Sequence, residues 1–124
     1  MQSFDMPISG RLNKLVSLIR SFVKERDWGQ FHSPKNLSMA MSIEAGEVAE
    51  IFQWLTEEQS RHLSPEKQKA LEDELADVFI YLLNIAGQYR IDLIEAAFKK
   101  MKKNAKKYPV GKSKGNIKKY TELA

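Results

Sequence analysis

The sequence predicts an all-α protein, a four-helix bundle-type domain that completes its burial by oligomerising. Apolar residues recur at i, i+3, i+4 spacing along successive segments, whereas β-type alternation never lasts more than a few residues. Helix-start signals stand where those segments begin, most clearly Ser64-Pro65 and the Asp92/Glu95 pair. And 124 residues with 43% hydrophobic content can bury one core, but a small one.

The first helix is expected from about Gly10 to Asp27, with Ser9 as its cap and Leu12, Leu15, Ile19, Phe22 and Val23 on one face. Trp28 to Asn36 reads as a connector, with Gly29 and Pro34 as breakers. The second helix runs from near Lys35 to near Leu55, its stripe being Leu37, Met41, Val48, Ile51 and Leu55. Thr56 to Ser64 is a polar loop. The third helix opens on Ser64 and Pro65 and ends near Arg90, with Leu71, Leu75, Val78, Leu82, Ile85 and Tyr89 inward. Asp92 and Glu95 start a fourth, which buries Ile94, Ala97, Phe98, Met101 and Ala105 and stops before Pro109. Residues 110–124 have two Gly, many Lys and few apolar groups, and read as an irregular, mobile basic tail behind a domain spanning 1–109.

Composition narrows the chemistry. There is no cysteine, so disulfides and thiolate metal sites are excluded, which fits a reducing, cytoplasmic setting. No apolar run approaches the roughly 20 residues of a membrane span. Met1–Gly10 lacks a basic start followed by an apolar block, so no secretory leader is expected. The net charge of +4 conceals an asymmetry: residues 98–124 hold 10 Lys against one acid, leaving an excess of acid in residues 1–97. The plain reading of the basic segment is a solvated face; the functional one is attraction of a polyanion, nucleotide phosphates or nucleic acid.

The decisive pattern is carboxylates where apolar residues belong. Glu44 falls in the middle of the second helix's stripe, between Met41 and Val48, and Glu47 follows one turn later at its edge. Glu74 and Asp77 repeat the arrangement on the flank of the third helix's stripe, and Tyr81 continues it. An i, i+3 spacing sets two side chains next to each other. A buried carboxylate without a partner is costly, so it is neutralised, paired or bound to metal. If the two helices are neighbours, four acids converge and repel unless cations lie between them. All-oxygen ligation suits magnesium, with manganese as a substitute. Magnesium also accepts phosphate oxygens, which suits phosphoanhydride cleavage. Surface salt bridges are the ordinary alternative for each pair alone. A di-iron carboxylate bundle would need Glu-x-x-His on two helices, which neither His32 nor His62 completes.

Other side chains suit a nucleotide. Trp28, Phe31 and His32 cluster in the connector and Trp54 ends the second helix; aromatic rings of this kind stack on a base, or else plug helix ends. On the fourth helix Lys100 suits phosphate, and Asn104 a sugar hydroxyl or base edge. Lys99, Lys102, Lys103, Lys106 and Lys107 read as a solvated face.

Glu44-x-x-Glu47, 26 residues, then Glu74-x-x-Asp77 resembles the signature of the all-α NTP pyrophosphatase superfamily, which includes MazG-type enzymes and dimeric dUTPases. Glu25-Arg-Asp-Trp28, Gln30-Phe-His32, Pro34-Lys-Asn-Leu37, Gly46-Glu-Val-Ala-Glu50, Phe52-Gln-Trp54, Asp77-Val-Phe-Ile-Tyr81 and Lys119-Tyr-Thr-Glu-Leu123 resemble its dCTP pyrophosphatase branch. So do Lys100-Met101, Asn104 and Tyr108-Pro109, and the likeness covers roughly residues 10–123. One position departs: Ile43 stands before Glu44, where a small residue such as Gly is expected. The resemblance implies a homotetramer, a dimer of dimers. It also implies magnesium-dependent hydrolysis of dCTP and 5-substituted dCTP to monophosphate and pyrophosphate. By position, Glu44, Glu47, Glu74 and Asp77 would ligate magnesium and carry the catalysis, with Glu47 the candidate for activating water. Trp28, His32, Trp54, Tyr81, Lys100 and Asn104 would contact nucleotide, some from different subunits. The alternatives are a broader MazG-like NTPase, a dUTPase, or a nucleic-acid-binding module using the basic tail. A membrane partner is not expected.

Overall fold

The computed structural model describes residues 8–123. Most of Met1–Gly10, over which no leader is expected, lies outside them. The described chain is helical, with no strand among the described residues: α1 Ile8–Glu25, α2 Pro34–Phe52, α3 Glu57–Ser60, α4 Pro65–Gln88, α5 Leu93–Lys107 and α6 Val110–Ser113. It divides between Arg90 and Ile91 into two compact units.

In the first unit, α2 packs chiefly against α4, and α1 also packs on α4. Helix α1 already includes Ile8, so Ser9 lies inside it and is not its cap. Its end is closed by a left-handed residue, Asp27 (φ 53°). The Trp28 amide donates to the Val23 carbonyl (3.0 Å) and the Asp27 amide to Lys24 (3.1 Å). This Schellman-type closure satisfies carbonyls the helix leaves free. The connector then makes a 3-10 turn at Gly29–Phe31. Pro34 is not a breaker: it occupies the first turn of α2, and Ser33 caps that helix by accepting from the Asn36 amide (3.1 Å). Proline suits this position because an N–H there would have no partner.

The segment expected as a polar loop contains α3, because Thr56 and Gln59 cap each other's backbone reciprocally. Ser64 caps α4 as the sequence predicts, accepting from Lys67.

The core of this unit holds Leu37 (1% exposed), Leu83 and Ala86. The α2 stripe lies as expected, half-buried apart from fully buried Leu37. On α4 the inward face differs from the predicted one. Leu71, Glu74, Val78, Tyr81 and Ile85 turn inward, while Leu75, Leu82 and Tyr89 are exposed. The helix is apolar around much of its circumference, so hydrophobicity alone did not select the face.

In the second unit, Asp92 caps α5 by accepting from the Glu95 amide (3.0 Å). Glu95 pairs with Lys99 (3.8 Å), and no reciprocal bond to the cap is formed. The residues expected to be buried on α5 are exposed: Phe98 is 67% and Met101 64% accessible, and Ile94, Ala97 and Ala105 are open too. The amphipathic stripe exists and is exposed. The segment after Pro109, expected as irregular, carries α6 and a 3-10 turn at Tyr120–Glu122. Pro109 starts α6, and Gly115 (φ 79°) follows its end. Tyr120 stands edge-on to Tyr108 (6.2 Å), with the Lys107 ammonium 4.7 Å from its ring centre.

Candidate metal centre and cleft

Pairing of α2 with α4 brings the two acidic pairs together. One carboxylate oxygen each from Glu44, Glu74 and Asp77 lies within 4.8 Å of the others. Glu47 joins them through side-chain hydrogen bonding with Glu74 and with Glu44. All four predicted acids thus meet, three of them in the tightest set.

The electrostatics follow from the crowding. The Glu74 carboxyl is pushed up to about 7, first by its hydrogen bond with Glu47, then by that with Glu44, with burial and the neighbouring charges adding. Glu44 is pulled down by its hydrogen bond with Glu74. Burial and the nearby Glu47 and Asp77 outweigh that, so it too ends above the ordinary carboxylate range. One oxygen of Glu44 and one of Glu74 (Oε2 in each) are buried without a hydrogen-bond partner. No ion pair among the described residues reaches any of the four acids. The cluster is short of positive charge, and unsatisfied buried oxygens are expensive. A hard cation would supply what is missing, and an all-oxygen donor set fits magnesium or manganese.

The acids separate two openings. Glu44 and Asp77 line a cleft of about 400 Å³ between α1, the connector, α2 and α4, together with Trp28, His32, Tyr81 and Asn84. Glu47 and Glu74 line a shallower depression of about 420 Å³ with Glu50, Ile51 and Ala70. Within the cleft Trp28 stands edge-on to Phe22 (5.6 Å, 73°), whose ring also carries the Arg26 guanidinium at 3.6 Å. His32 lies 6.1 Å from Trp28, ring centre to ring centre. Trp28, His32 and Tyr81 therefore line the same cleft as Glu44 and Asp77.

Other predicted contacts lie elsewhere. Trp54 sits in the turn after α2, 87% exposed, outside the cleft of its own chain. It is not a core plug, and Phe31 is exposed as well. Lys100 and Asn104 belong to α5 in the second unit, the first exposed and the second half-buried. Sequence reasoning missed Asn84 and Gln88, which hold His32 from α4. The signal was available: Asn84 is a polar residue three positions after Tyr81 and seven after Asp77, hence on the same helix face.

Comparison with known proteins agrees with this geometry. The MazG-like family model matches residues 39–123. The chain is 44% identical over 114 residues to dCTP pyrophosphatase 1 of Bos taurus, covering 90% of this chain and 68% of that protein. With the Homo sapiens dCTP pyrophosphatase 1 it shares 43% identity, covering 67% of that protein. A solved pyrophosphatase from Archaeoglobus fulgidus superposes with a TM-score of 0.75 at 39% identity, covering 79% of this chain and 92% of that one. The matched region contains all four acids, most of α2 and the whole of α4, and on that footing the chain belongs to the MazG-like family.

Proposed function

We propose that the protein is a magnesium-dependent nucleoside triphosphate pyrophosphohydrolase that converts dCTP, and dCTP substituted at carbon 5, to the monophosphate and pyrophosphate, clearing the cytoplasmic nucleotide pool. One observation carries the reading: a carboxylate cluster, deficient in positive charge, opens into a cleft that also holds Trp28, His32 and Tyr81. The curated relatives' names and the solved pyrophosphatase support the reaction class and the choice of base.

Glu44, Glu47, Glu74 and Asp77 would hold magnesium, with manganese as a substitute. An ion held there would supply positive charge against phosphate oxygens and lower the pKa of a nearby water. The reaction is an in-line attack by water on the anhydride between the α- and β-phosphates. Glu47, beside Glu74 and facing the shallower opening, orients that water and takes its proton. Trp28 offers a ring face to the base and Tyr81 lines the passage between base and acids. Lys100 meets phosphate charge and Asn104 a sugar hydroxyl, as the family resemblance implies. Trp54 would contact nucleotide as well, as the family resemblance implies, and the exposed apolar residues of α5 support self-association as a homotetramer.

A panel of common and 5-modified dNTPs with magnesium, scored for pyrophosphate release, tests the reading. The highest kcat/KM should fall on the cytosine nucleotides. Preference for dUTP, or equal use of every base, would sink the assignment of substrate while leaving the reaction class.

A further inference from the structure

Helix α4 contributes more to the cleft than its acids. Asn84, half-buried, lines the same cavity as Glu44, Asp77, Trp28 and Tyr81. Its amide nitrogen lies 3.4 Å from His32 Nδ1. One turn further on, Gln88 Nε2 donates to the His32 carbonyl at 2.7 Å. Two carboxamides at i and i+4 on α4 therefore fix both the backbone and the ring of the only histidine in the cleft.

The chemistry of the pair follows from this geometry. With the Asn84 amide nitrogen as donor, His32 Nδ1 accepts, so the neutral imidazole carries its proton on Nε2. No hydrogen bond among the described residues occupies the Asn84 carbonyl Oδ1. Two residues lining the cleft thus carry, among the described hydrogen bonds, one unused acceptor, Asn84 Oδ1, and one unused donor, His32 Nε2–H. A cytosine edge presents the complement, an exocyclic amino donor beside a ring-nitrogen acceptor. A uracil edge presents the reverse order, carbonyl acceptor then N–H donor. A site of this kind discriminates well, because the wrong base leaves buried polar groups unpaired.

We infer that Asn84 is a specificity-determining residue. It reads the amino group of the nucleobase with its carbonyl oxygen and holds His32 in the tautomer that donates to the neighbouring ring nitrogen. The inference deepens the nucleotide reading above and rests on it.

The test compares the wild type with Asn84→Ala and the near-isosteric Asn84→Asp. Turnover is measured on dCTP, dUTP, dTTP, dATP and dGTP with magnesium, and binding of dCMP and dUMP by titration calorimetry. In Asn84→Ala the ratio of kcat/KM for dCTP over dUTP should fall about tenfold, mainly through KM, as expected for one lost neutral hydrogen bond. The calorimetric preference for dCMP should fall in parallel. Nitrogen-15 spectra of the His32 ring should show Nδ1 unprotonated in the wild type and protonated in Asn84→Asp, whose carboxylate can only accept. An unchanged base ranking in both variants overturns the inference, as does a His32 tautomer indifferent to position 84. If the wild type itself does not favour cytosine, the substrate assignment fails. Asn84 is then still judged by whether its substitution changes whatever base ranking the wild type shows in turnover or, failing turnover, in monophosphate binding. Circular dichroism of both variants separates loss of discrimination from loss of fold.

Discussion

At the scale of single residues, the four acids make the sharpest predictions. Glu47→Gln should lower turnover by roughly 10²–10⁴-fold, the range of a general base, with the helical circular dichroism unchanged. A rate equal to the wild type would remove Glu47 from the mechanism. Glu74, pushed up to about 7, holds a proton near neutrality in the metal-free protein. At the proposed site magnesium would displace that proton, so its affinity should rise with pH through about 7 and then level off. Calorimetry in buffers of different ionisation enthalpy reads the released proton directly. Trp54→Ala should raise the KM for dCTP; a change in melting temperature alone would make Trp54 a packing residue. The acids were legible in the sequence because a carboxylate inside an apolar stripe conflicts with the rest of the helix. Asn84 shares the helix face of Asp77 and Tyr81, a signal the sequence carries, but its partner His32 stands 52 positions away, so the role of the amide emerges only from the fold.

At the scale of elements, the caps set the register of the site. Ser33 and Pro34 fix where α2 starts, and that start fixes which face carries Glu44 and Glu47. Ser33→Ala should cost about 1 kcal/mol. Leu37→Ala, at the one fully buried large side chain among the described residues, should cost about 2–5 kcal/mol, read from chemical denaturation. Long helices were legible from their periodicity and from Ser64-Pro65 and Asp92. The short α3 was not anticipated, because its Thr56/Gln59 box sits in a polar stretch with no apolar run behind it. The face of α4 was misread because Leu75, Leu82 and Tyr89 are as apolar as the residues that turn inward. Choosing between them needs the position of α2, which is tertiary information.

At the scale of the molecule, proton linkage works against the metal-free fold. The folded chain binds an extra proton at Glu74 between its ordinary value of 4.5 and about 7, so the contribution of this group to stability declines as pH rises across that window. Without magnesium, the part of the melting temperature that depends on Glu74 should be lower at pH 8 than at pH 5. Magnesium should reverse the trend, and Glu74→Gln should abolish it. Truncation after Pro109 tests whether the segment holding α6 is dispensable; complete loss of activity would show that it is not. Finally, few side chains among the described residues are fully buried and much of the α5 stripe is exposed, so under the proposed self-association copy number becomes a thermodynamic variable. Dilution should act as a mild denaturant: the midpoint of thermal melting should climb with the logarithm of protein concentration, and a charge placed at Phe98 should flatten that slope.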